Sequence, residues 1–148
     1  MEVKSAHGGS VSIEQRMAVP AEKVSGYISD FRNAKEWMVG VESVERLGED
    51  SYRLVLESPI GKIEPEVRII EQGPESLSWV YTSSIEGGGR MDVSPDTGGC
   101  VVSYTGEFHL KRKLFDRAAR LVGAERFART NGERSLSRLK YLMEARRY

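Results

Sequence analysis

The residue pair with the most direct catalytic potential is His109 and Glu107, which lie two positions apart. Residues at this spacing on a β-strand share one face, so the imidazole and the carboxylate could act as a general acid–base pair. The alternation around them places that face towards solvent, where an exposed ion pair is expected. The other histidine, His7, and the single cysteine, Cys100, are not spaced to complete a metal site. We therefore expect neither a metal ion nor a cofactor.

Other catalytic motifs are weak in this sequence. The segment "EGGGR" lacks the Gly-Lys-Ser/Thr ending of a phosphate loop, so residues 87–89 are expected to form a hairpin turn. No serine lies in a nucleophile elbow. Glu71 is the one carboxylate in an otherwise apolar strand phase, although it also suits the end of that strand. Arg68 and Arg90 would meet a ligand carboxylate only if their strands bulge, and whether the protein is an enzyme stays open.

Binding is indicated more clearly, by aromatic residues in the apolar phase of successive predicted strands. Tyr52, Trp79, Tyr81 and Tyr104 each carry a polar group that needs a partner when buried. Aromatic rings with a few polar tips suit a pocket that orients an apolar ligand, although an ordinary core would show the same residues. The predicted pocket lining is Trp37, Met38, Tyr52, Leu54, Leu56, Val67, Ile69, Trp79, Tyr81, Met91, Tyr104, Phe108 and Phe115.

Trp37 and Met38 stand where the sequence period changes from helical to alternating. We expect them to lie across one end of a curved sheet, near the predicted turn at 87–89. A bulky aromatic ring and a flexible thioether at that place would close a pocket mouth and adapt to its ligand. Alternatively, Trp37 only plugs the end of the sheet.

The elements that must position these residues follow from periodicity. Residues 10–19 alternate as a strand, and "PAEKVSGYISDF" repeats apolar residues at helical spacing after Pro20. A second short turn ends at Trp37 and Met38. Turn signals then delimit six strands at 41–47, 51–58, 62–72, 76–84, 89–94 and 100–110. A long amphipathic helix follows from Phe115 to Met143, with a bend expected at 122–125.

This order predicts an α+β fold. Short connections require consecutive strands to pair antiparallel, and a sheet with one apolar face needs a cover. The final helix is the only element long enough to supply it. We therefore expect a seven-stranded, strongly curved antiparallel sheet wrapped around a long C-terminal helix.

Length, composition and charge restrict the class of protein. The chain of 148 residues fits one domain, and it contains no apolar run long enough to cross a bilayer. With one cysteine, a cytoplasmic location is expected. A charged fraction of 30% with only four Asn and Gln residues is typical of heat-adapted proteins.

The overall net charge of zero hides two oppositely charged parts. Residues 1–110 hold 10 Lys/Arg against 18 Asp/Glu, and residues 111–148 hold 12 against 4. One interpretation is attraction between a basic helix and an acidic body. Another is a basic helix that docks on a peripheral or protein partner, on anionic lipid or on nucleic acid. No aromatic stacking platform or known motif accompanies the basic residues, so nucleic acid is not expected. The oligomeric state stays open.

The stretch "VPAEKVSGYISDFRNAKEWMVGVESVERLG", residues 19–48, resembles the entry motif of the SRPBCC superfamily, the START-like helix-grip proteins. Within it, "VGVESVERLGEDSYRL", which runs on to residue 54, is similar to the segment that opens the first hairpin of CoxG-like proteins. The resemblance implies a helix-grip fold and a cavity between sheet and helix for an apolar or amphipathic molecule, lipid-like or polyketide/isoprenoid-like. It also implies two alternatives, a cyclase or dehydratase acting in that cavity and an adaptor in metalloenzyme maturation.

Overall fold

The computed structural model describes residues 8–58, 61–83, 85–110 and 124–145, which form a curved antiparallel sheet, two short helices and one long helix. The predicted α+β helix-grip fold is confirmed. The strands are β1 (Gly8–Met17), β2 (Val41–Arg46), β3 (Ser51–Ser58), β4 (Gly61–Ile63), β5 (Glu66–Gln72), β6 (Ser76–Tyr81), β7 (Ile85–Asp96) and β8 (Gly99–Leu110). The helices are α1 (Ala21–Ser29), α2 (Ala34–Trp37) and α3 (Ala124–Ala145), and a 3₁₀ turn (Phe31–Asn33) joins α1 to α2.

Over the described residues the sheet has eight strands rather than the predicted seven, because the predicted strand 62–72 is interrupted. The strand order is β1-β8-β7-β6-β5-β3-β2, and β4 pairs with β3 beside this path. The interruption falls at Glu64 and Pro65, between β4 and β5. Proline has no N–H to donate to a ladder, so the strand cannot run through it. The Pro65 carbonyl still accepts a hydrogen bond from the Leu54 N–H at 2.9 Å, which holds the break against β3.

The predicted hairpin turn at 87–89 is wrong, because these glycines lie inside β7. All three pair with residues 106–108 of β8, and Gly88 and Gly89 also pair with Val80 and Trp79 of β6. A Cβ on Gly89 would overlap the Trp79 indole, and a Cβ on Gly88 would overlap the Trp79 carbonyl. Gly87 has a φ of 115°, which side-chain-bearing residues rarely adopt. These glycines therefore let Trp79 lie close to β7, and they do not reverse the chain.

The concave face of the sheet and one stripe of α3 form the core. The predicted inward phase is buried throughout the middle of the sheet, as shown by Val67, Leu77, Met91, Val93 and Val102. From α3, the spacing of three and four residues directs three more apolar side chains into the same core. They are Leu136, Leu139 and Met143.

Helix α3 lies especially close to the sheet at Gly132. A Cβ at this position would lie 2.8 Å from Cδ1 of Ile13 on β1, so a larger residue would require the end of the Ile13 side chain to shift. The glycine therefore offsets its low helix propensity by allowing tight packing. Phe115 and residues 122–123 of the predicted bend at 122–125 lie outside the described residues. Within the described ranges, no helix is both long and apolar enough to cross a membrane.

The contacts of the β7 glycines lead to a stability prediction. We expect Gly89→Ala to lower the free energy of unfolding by about 1–3 kcal/mol, because the new methyl group overlaps the Trp79 ring. The matched control is Gly26→Ala in α1, where a Cβ meets nothing within 4 Å. There, alanine's higher helix propensity should raise stability by up to about 1 kcal/mol. Urea unfolding of both variants would measure this, and equal effects would contradict the packing explanation.

Candidate functional site

A cavity of about 210 Å³ lies between the concave face of the sheet, the residues around the end of α2 and the N-terminal half of α3. Its walls are mainly apolar or aromatic. The sheet contributes Val11, Val41, Leu54, Leu56, Glu57, Ile63, Trp79, Tyr81, Ile85, Gly88, Tyr104, Gly106, Glu107 and Phe108. The remaining walls are Phe31, Trp37, Met38, Val39, Phe127, Ala128, Asn131, Gly132, Ser135 and Leu136.

The floor of the cavity is an aromatic cluster laid over glycines. The rings of Trp79 and Tyr104 stack with centroids 6.3 Å apart and an interplanar angle of 21°. A Cβ on Gly106 would overlap the Tyr104 hydroxyl, and one on Gly89 would overlap the Trp79 ring. Phe31 adds a third ring, tilted at 59° and 5.6 Å from that of Trp79. The missing side chains at the glycines thus let two large rings lie close to the sheet.

The polar groups of this cluster stay uncharged at neutral pH. Burial raises the pKa of the Tyr81 hydroxyl, an effect that a hydrogen bond with the Trp79 side chain partly opposes. Burial likewise raises the pKa of Tyr104, and the nearby Tyr81 raises it further. Both hydroxyls therefore remain protonated well above neutrality and can donate hydrogen bonds. They are unsuited to act as bases in this range.

Two hydrogen bonds from α3 hold the 38–40 segment, which follows α2, over the cavity. The Val39 N–H donates to Oγ of Ser135 at 2.9 Å, and Nδ2 of Asn131 donates to the Val39 carbonyl at 2.8 Å. Ser135 in turn donates to the Asn131 carbonyl at 2.7 Å. Gly40, with a φ of 93°, ends the segment, and a Cβ there would lie 3.3 Å from Nδ2 of Asn131. Both backbone groups of Val39 thus depend on α3 for their partners.

The acidic residues on the cavity wall, Glu57 and Glu107, are both exposed. Beside the cavity, Nζ of Lys62 lies 3.2 Å from a carboxylate oxygen of Glu42 and 3.9 Å from one of Glu57. A hydrogen bond between the two glutamates raises the pKa of Glu57 and lowers that of Glu42. These groups form a solvated ion cluster at the margin of the cavity.

The structure brings eight of the thirteen predicted pocket residues to the cavity wall. They are Trp37, Met38, Leu54, Leu56, Trp79, Tyr81, Tyr104 and Phe108. Four others, Tyr52, Val67, Ile69 and Met91, are buried in the core away from the lining. Tyr52, for example, packs its ring 5.3 Å from that of Phe31. The thirteenth, Phe115, lies outside the described residues. Strand alternation identifies the inward face but not the part of it that the helix leaves uncovered.

Sequence reasoning missed the contribution of α3 to the wall. Asn131 and Ser135 are polar residues four positions apart within an otherwise apolar helical stripe. That pattern is a signal for a hydrogen-bonded contact inside a cavity, because a polar group on a buried face needs a partner.

Of the residues considered for catalysis, Glu107 lies on the cavity wall, whereas His109, Glu71, Arg68 and Arg90 do not line the cavity. His109 is exposed, as is Glu107 on the same strand. An irregularity in β5 between Ile69 and Glu71 breaks the strand alternation, and Glu71 pairs with Arg90 at 2.6 Å on the surface. Among the described residues, no group of three or more His, Cys, Asp or Glu is placed to hold a metal ion.

Residues 9–144 match the family model described as polyketide cyclase / dehydrase and lipid transport. The chain belongs to this family. Membership agrees with the helix-grip fold, and the resemblance to START-like proteins drawn from residues 19–54 is confirmed. No curated protein is similar enough to this chain to give a significant match.

Solved structures share the fold of this family member over nearly its whole length. The Zhui aromatase/cyclase from Streptomyces sp. R1128 superposes with a TM-score of 0.77 at 18% identity, covering 95% of this chain and 96% of that chain. A protein from Thermus thermophilus gives 0.74 at 18% identity, with 93% and 98% covered. A START superfamily protein from Mycobacterium smegmatis gives 0.69 at 14%, with 93% and 96% covered. At these identities the likeness establishes the fold alone.

The contact between the 38–40 segment and α3 can be tested by removing one hydroxyl. Ser135→Ala should lower the free energy of unfolding by about 1–3 kcal/mol, since it leaves the part-buried Val39 N–H without its acceptor. Amide hydrogen exchange at Val39 should accelerate. Ser137→Ala, an exposed position on the same helix, is the control and should change stability little. Equal loss in both variants would contradict a role for this hydrogen bond.

The raised tyrosine pKa values predict a loss of stability in alkali. In the unfolded chain a tyrosine ionises near pH ~10, below the folded-state pKa of Tyr81 and Tyr104. Their contribution to stability is therefore complete below about pH 10 and is lost as the pH rises through the folded pKa. Urea unfolding across that range should show a steeper decline for the native chain than for Tyr81→Phe/Tyr104→Phe. Identical slopes would contradict the assignment.

Proposed function

We propose that this protein binds an apolar or amphipathic small molecule, lipid-like or polyketide/isoprenoid-like, in the cavity between sheet and α3. The observation that carries the proposal is a wall of apolar and aromatic side chains with a few neutral polar tips on one side. Apolar ligand surface buried against such a wall contributes roughly 25 cal/mol per Å² to the free energy of binding, before the costs of association are subtracted. The family's description, which covers cyclases and lipid transport, agrees with this class of ligand.

Cavity size constrains the ligand. A volume of about 210 Å³ is below the roughly 300–1,000 Å³ of typical small-molecule sites. A compact ring system or a short chain would fit without rearrangement. A larger ligand would require the 38–40 segment to move, which means breaking the hydrogen bond that Asn131 donates to Val39 and the one that Ser135 accepts from it.

Ligand orientation would come from the aromatic cluster. The Trp79 indole N–H is engaged by Tyr81, so the donors open to a ligand on one side of the cavity are the Tyr81 and Tyr104 hydroxyls. A ligand with a carbonyl or hydroxyl oxygen would satisfy them, while its carbon frame would lie against Leu54, Leu56 and the other apolar walls. We therefore infer that the ligand carries at least one oxygen at one end.

A cyclase or dehydratase acting in the same cavity is the second candidate, favoured by the family description and by the likeness to an aromatase/cyclase. Such an enzyme would shape a reactive substrate and polarise its carbonyl through Tyr81 or Tyr104. Because both hydroxyls have raised pKa values, they would serve as hydrogen-bond donors rather than as bases. Turnover of a co-purified or candidate polyketide would distinguish this enzyme from a carrier.

The resemblance to CoxG-like proteins adds an adaptor role in metalloenzyme maturation as a third candidate. That role requires a stable protein partner, which affinity purification would capture. It does not require an occupied cavity, so an empty cavity together with a captured metalloenzyme would favour it over the carrier.

The first experiment is native mass spectrometry of the purified protein, followed by extraction and identification of any bound molecule. A lipid, isoprenoid or polyaromatic compound released on denaturation would support binding and define the ligand class. The extracted compound, or the fluorescent probe N-phenyl-1-naphthylamine if none is found, then serves for titrations.

Paired hydroxyl deletions test the orientation of the ligand. With an oxygen-bearing ligand, Tyr104→Phe should weaken binding by about 5- to 15-fold, the value of roughly one hydrogen bond. Tyr52→Phe is the matched control, because it deletes the hydroxyl of a buried tyrosine that does not line the cavity. Trp79→Ala should weaken binding of any ligand, the apolar probe included, by removing the largest ring of the floor. If Trp79→Ala and Tyr104→Phe both bind as the native chain does, the cavity is not the binding site.

A further inference from the structure

The solvent side of α3 carries a row of arginines. We define the arginine face as Arg126, Arg134, Arg138 and Tyr141, all of which are exposed. At about 100° per residue these four positions fall within one third of the helix circumference. The other described residues on that side include two acidic side chains, Glu133 at the margin and Glu144 at the same angle as Arg126, and Glu144 pairs with Lys140. The remaining ones are uncharged: Phe127, Thr130, Ser137 and Ala145.

None of these arginines forms a salt bridge or a hydrogen bond with another residue of the described ranges. The ion pair within α3 joins Lys140 to Glu144 instead, at 2.5 Å. The sheet and short helices behave differently, since Arg32 pairs with Asp30 at 2.9 Å and Arg53 with Glu45 at 3.0 Å. Carboxylates of the body thus pair with several of its own arginines, whereas none of the described carboxylates pairs with an arginine of the arginine face.

The character of the face favours a bilayer over a macromolecular partner. Stable protein interfaces hold their aromatic and arginine anchors in well-packed, desolvated pockets, and single-stranded nucleic acid binding depends on rows of aromatic rings. This face has one aromatic side chain, Tyr141, which is 74% exposed. Attraction to an anionic bilayer needs no complementary pocket, because each cation contributes separately. A tyrosine suits the lipid–water interface, where its ring and hydroxyl meet different environments.

The face also lies beside the cavity. Phe127, the neighbour of Arg126 in sequence, lines the cavity wall, as do Asn131 and Ser135 on the next turns. The N-terminal half of α3 thus separates the cavity from the surface that bears the arginines. A bilayer against this helix would bring the cavity close to a store of apolar molecules.

We propose that the arginine face of α3 docks this protein on the surface of an anionic lipid bilayer. The charges needed are those of phospholipid headgroups in a membrane, and the docking is peripheral. Binding depends on the helix surface and not on what the cavity holds. Failure of vesicle binding would therefore leave the proposed ligand binding untouched, and an empty cavity would leave the docking untouched.

The test is co-sedimentation of the full chain with phosphatidylcholine vesicles that contain or lack phosphatidylglycerol. We expect binding only to the anionic vesicles and a decline with added salt. Arg134→Gln/Arg138→Gln should reduce partitioning by roughly 30-fold, since each basic residue near such a surface strengthens binding about fivefold. Unfolding curves of each variant would show that the fold persists.

The matched control is Arg32→Gln/Arg53→Gln, which removes the same two charges from ion-paired positions on the body. It should bind vesicles nearly as the native chain does. Equal loss in both double variants would overturn the proposal, because net charge would then explain the binding. Binding to pure phosphatidylcholine, or no binding to anionic vesicles at low salt, would overturn it as well.

Two further outcomes would assign the face to another partner. If the Arg134/Arg138 variant loses binding to duplex DNA or RNA while vesicles are not bound, the partner is a nucleic acid. If sedimentation shows a dimer that dissociates in this variant, with no vesicle binding, the occupant is the acidic body of a second copy. Either result would overturn the proposal that the arginine face docks on a bilayer.

Discussion

The structure depends on how closely two aromatic rings can lie against the sheet. Trp79 and Tyr104 stack over a stretch of β7 and β8 that lacks Cβ atoms at Gly89 and Gly106. Gly132 then lets α3 come down onto the same region, against Ile13 and the Tyr104 ring. A methyl group at any of these glycines would push a ring or the helix outwards. Because close packing transmits such a shift, these three positions contribute to the shape of the cavity.

Polar groups in the cavity are few, and the structure shows the protonation state, the hydrogen-bond partner or the solvent exposure of each one. Tyr81 and Tyr104 are held neutral by burial, which makes them donors over the whole physiological range. Asn131 and Ser135 are committed to the backbone of Val39, so they close the cavity as well as line it. The carboxylates near the cavity remain in water. Such an interior is suited to hold and orient carbon-rich molecules, and its closing contact is made of hydrogen bonds that a ligand-driven movement can exchange for water.

Charge is distributed by element. On the sheet and short helices, arginines such as Arg32 and Arg53 are balanced locally by carboxylates. On α3 the exposed arginines have no such partners among the described residues. Exposed ion pairs contribute little to the free energy of folding. The main effect of the pairs on the sheet and short helices is therefore to neutralise charge on that surface. The exposed arginines of α3 instead create a positive electrostatic potential, which attracts anionic groups from solution. The same helix thus supplies a core stripe, a cavity wall and a charged outer face.

Much of the fold was determined by the sequence alone, through periodicity. Alternation identified which face of each strand is buried, helical spacing identified the stripe of α3, and short turns required antiparallel pairing. Pro65 shows a local signal that was present but unused, since a proline inside a predicted strand marks a break. The glycines at 87–89 show one that was misleading: in sequence, a glycine that reverses the chain and a glycine that admits a neighbouring ring look the same. Only the paired strands, which bring Trp79 against Gly89, distinguish them. The cavity likewise required tertiary structure, because whether an inward residue such as Met91 or Tyr104 meets packed neighbours or open space depends on where the helix crosses the sheet.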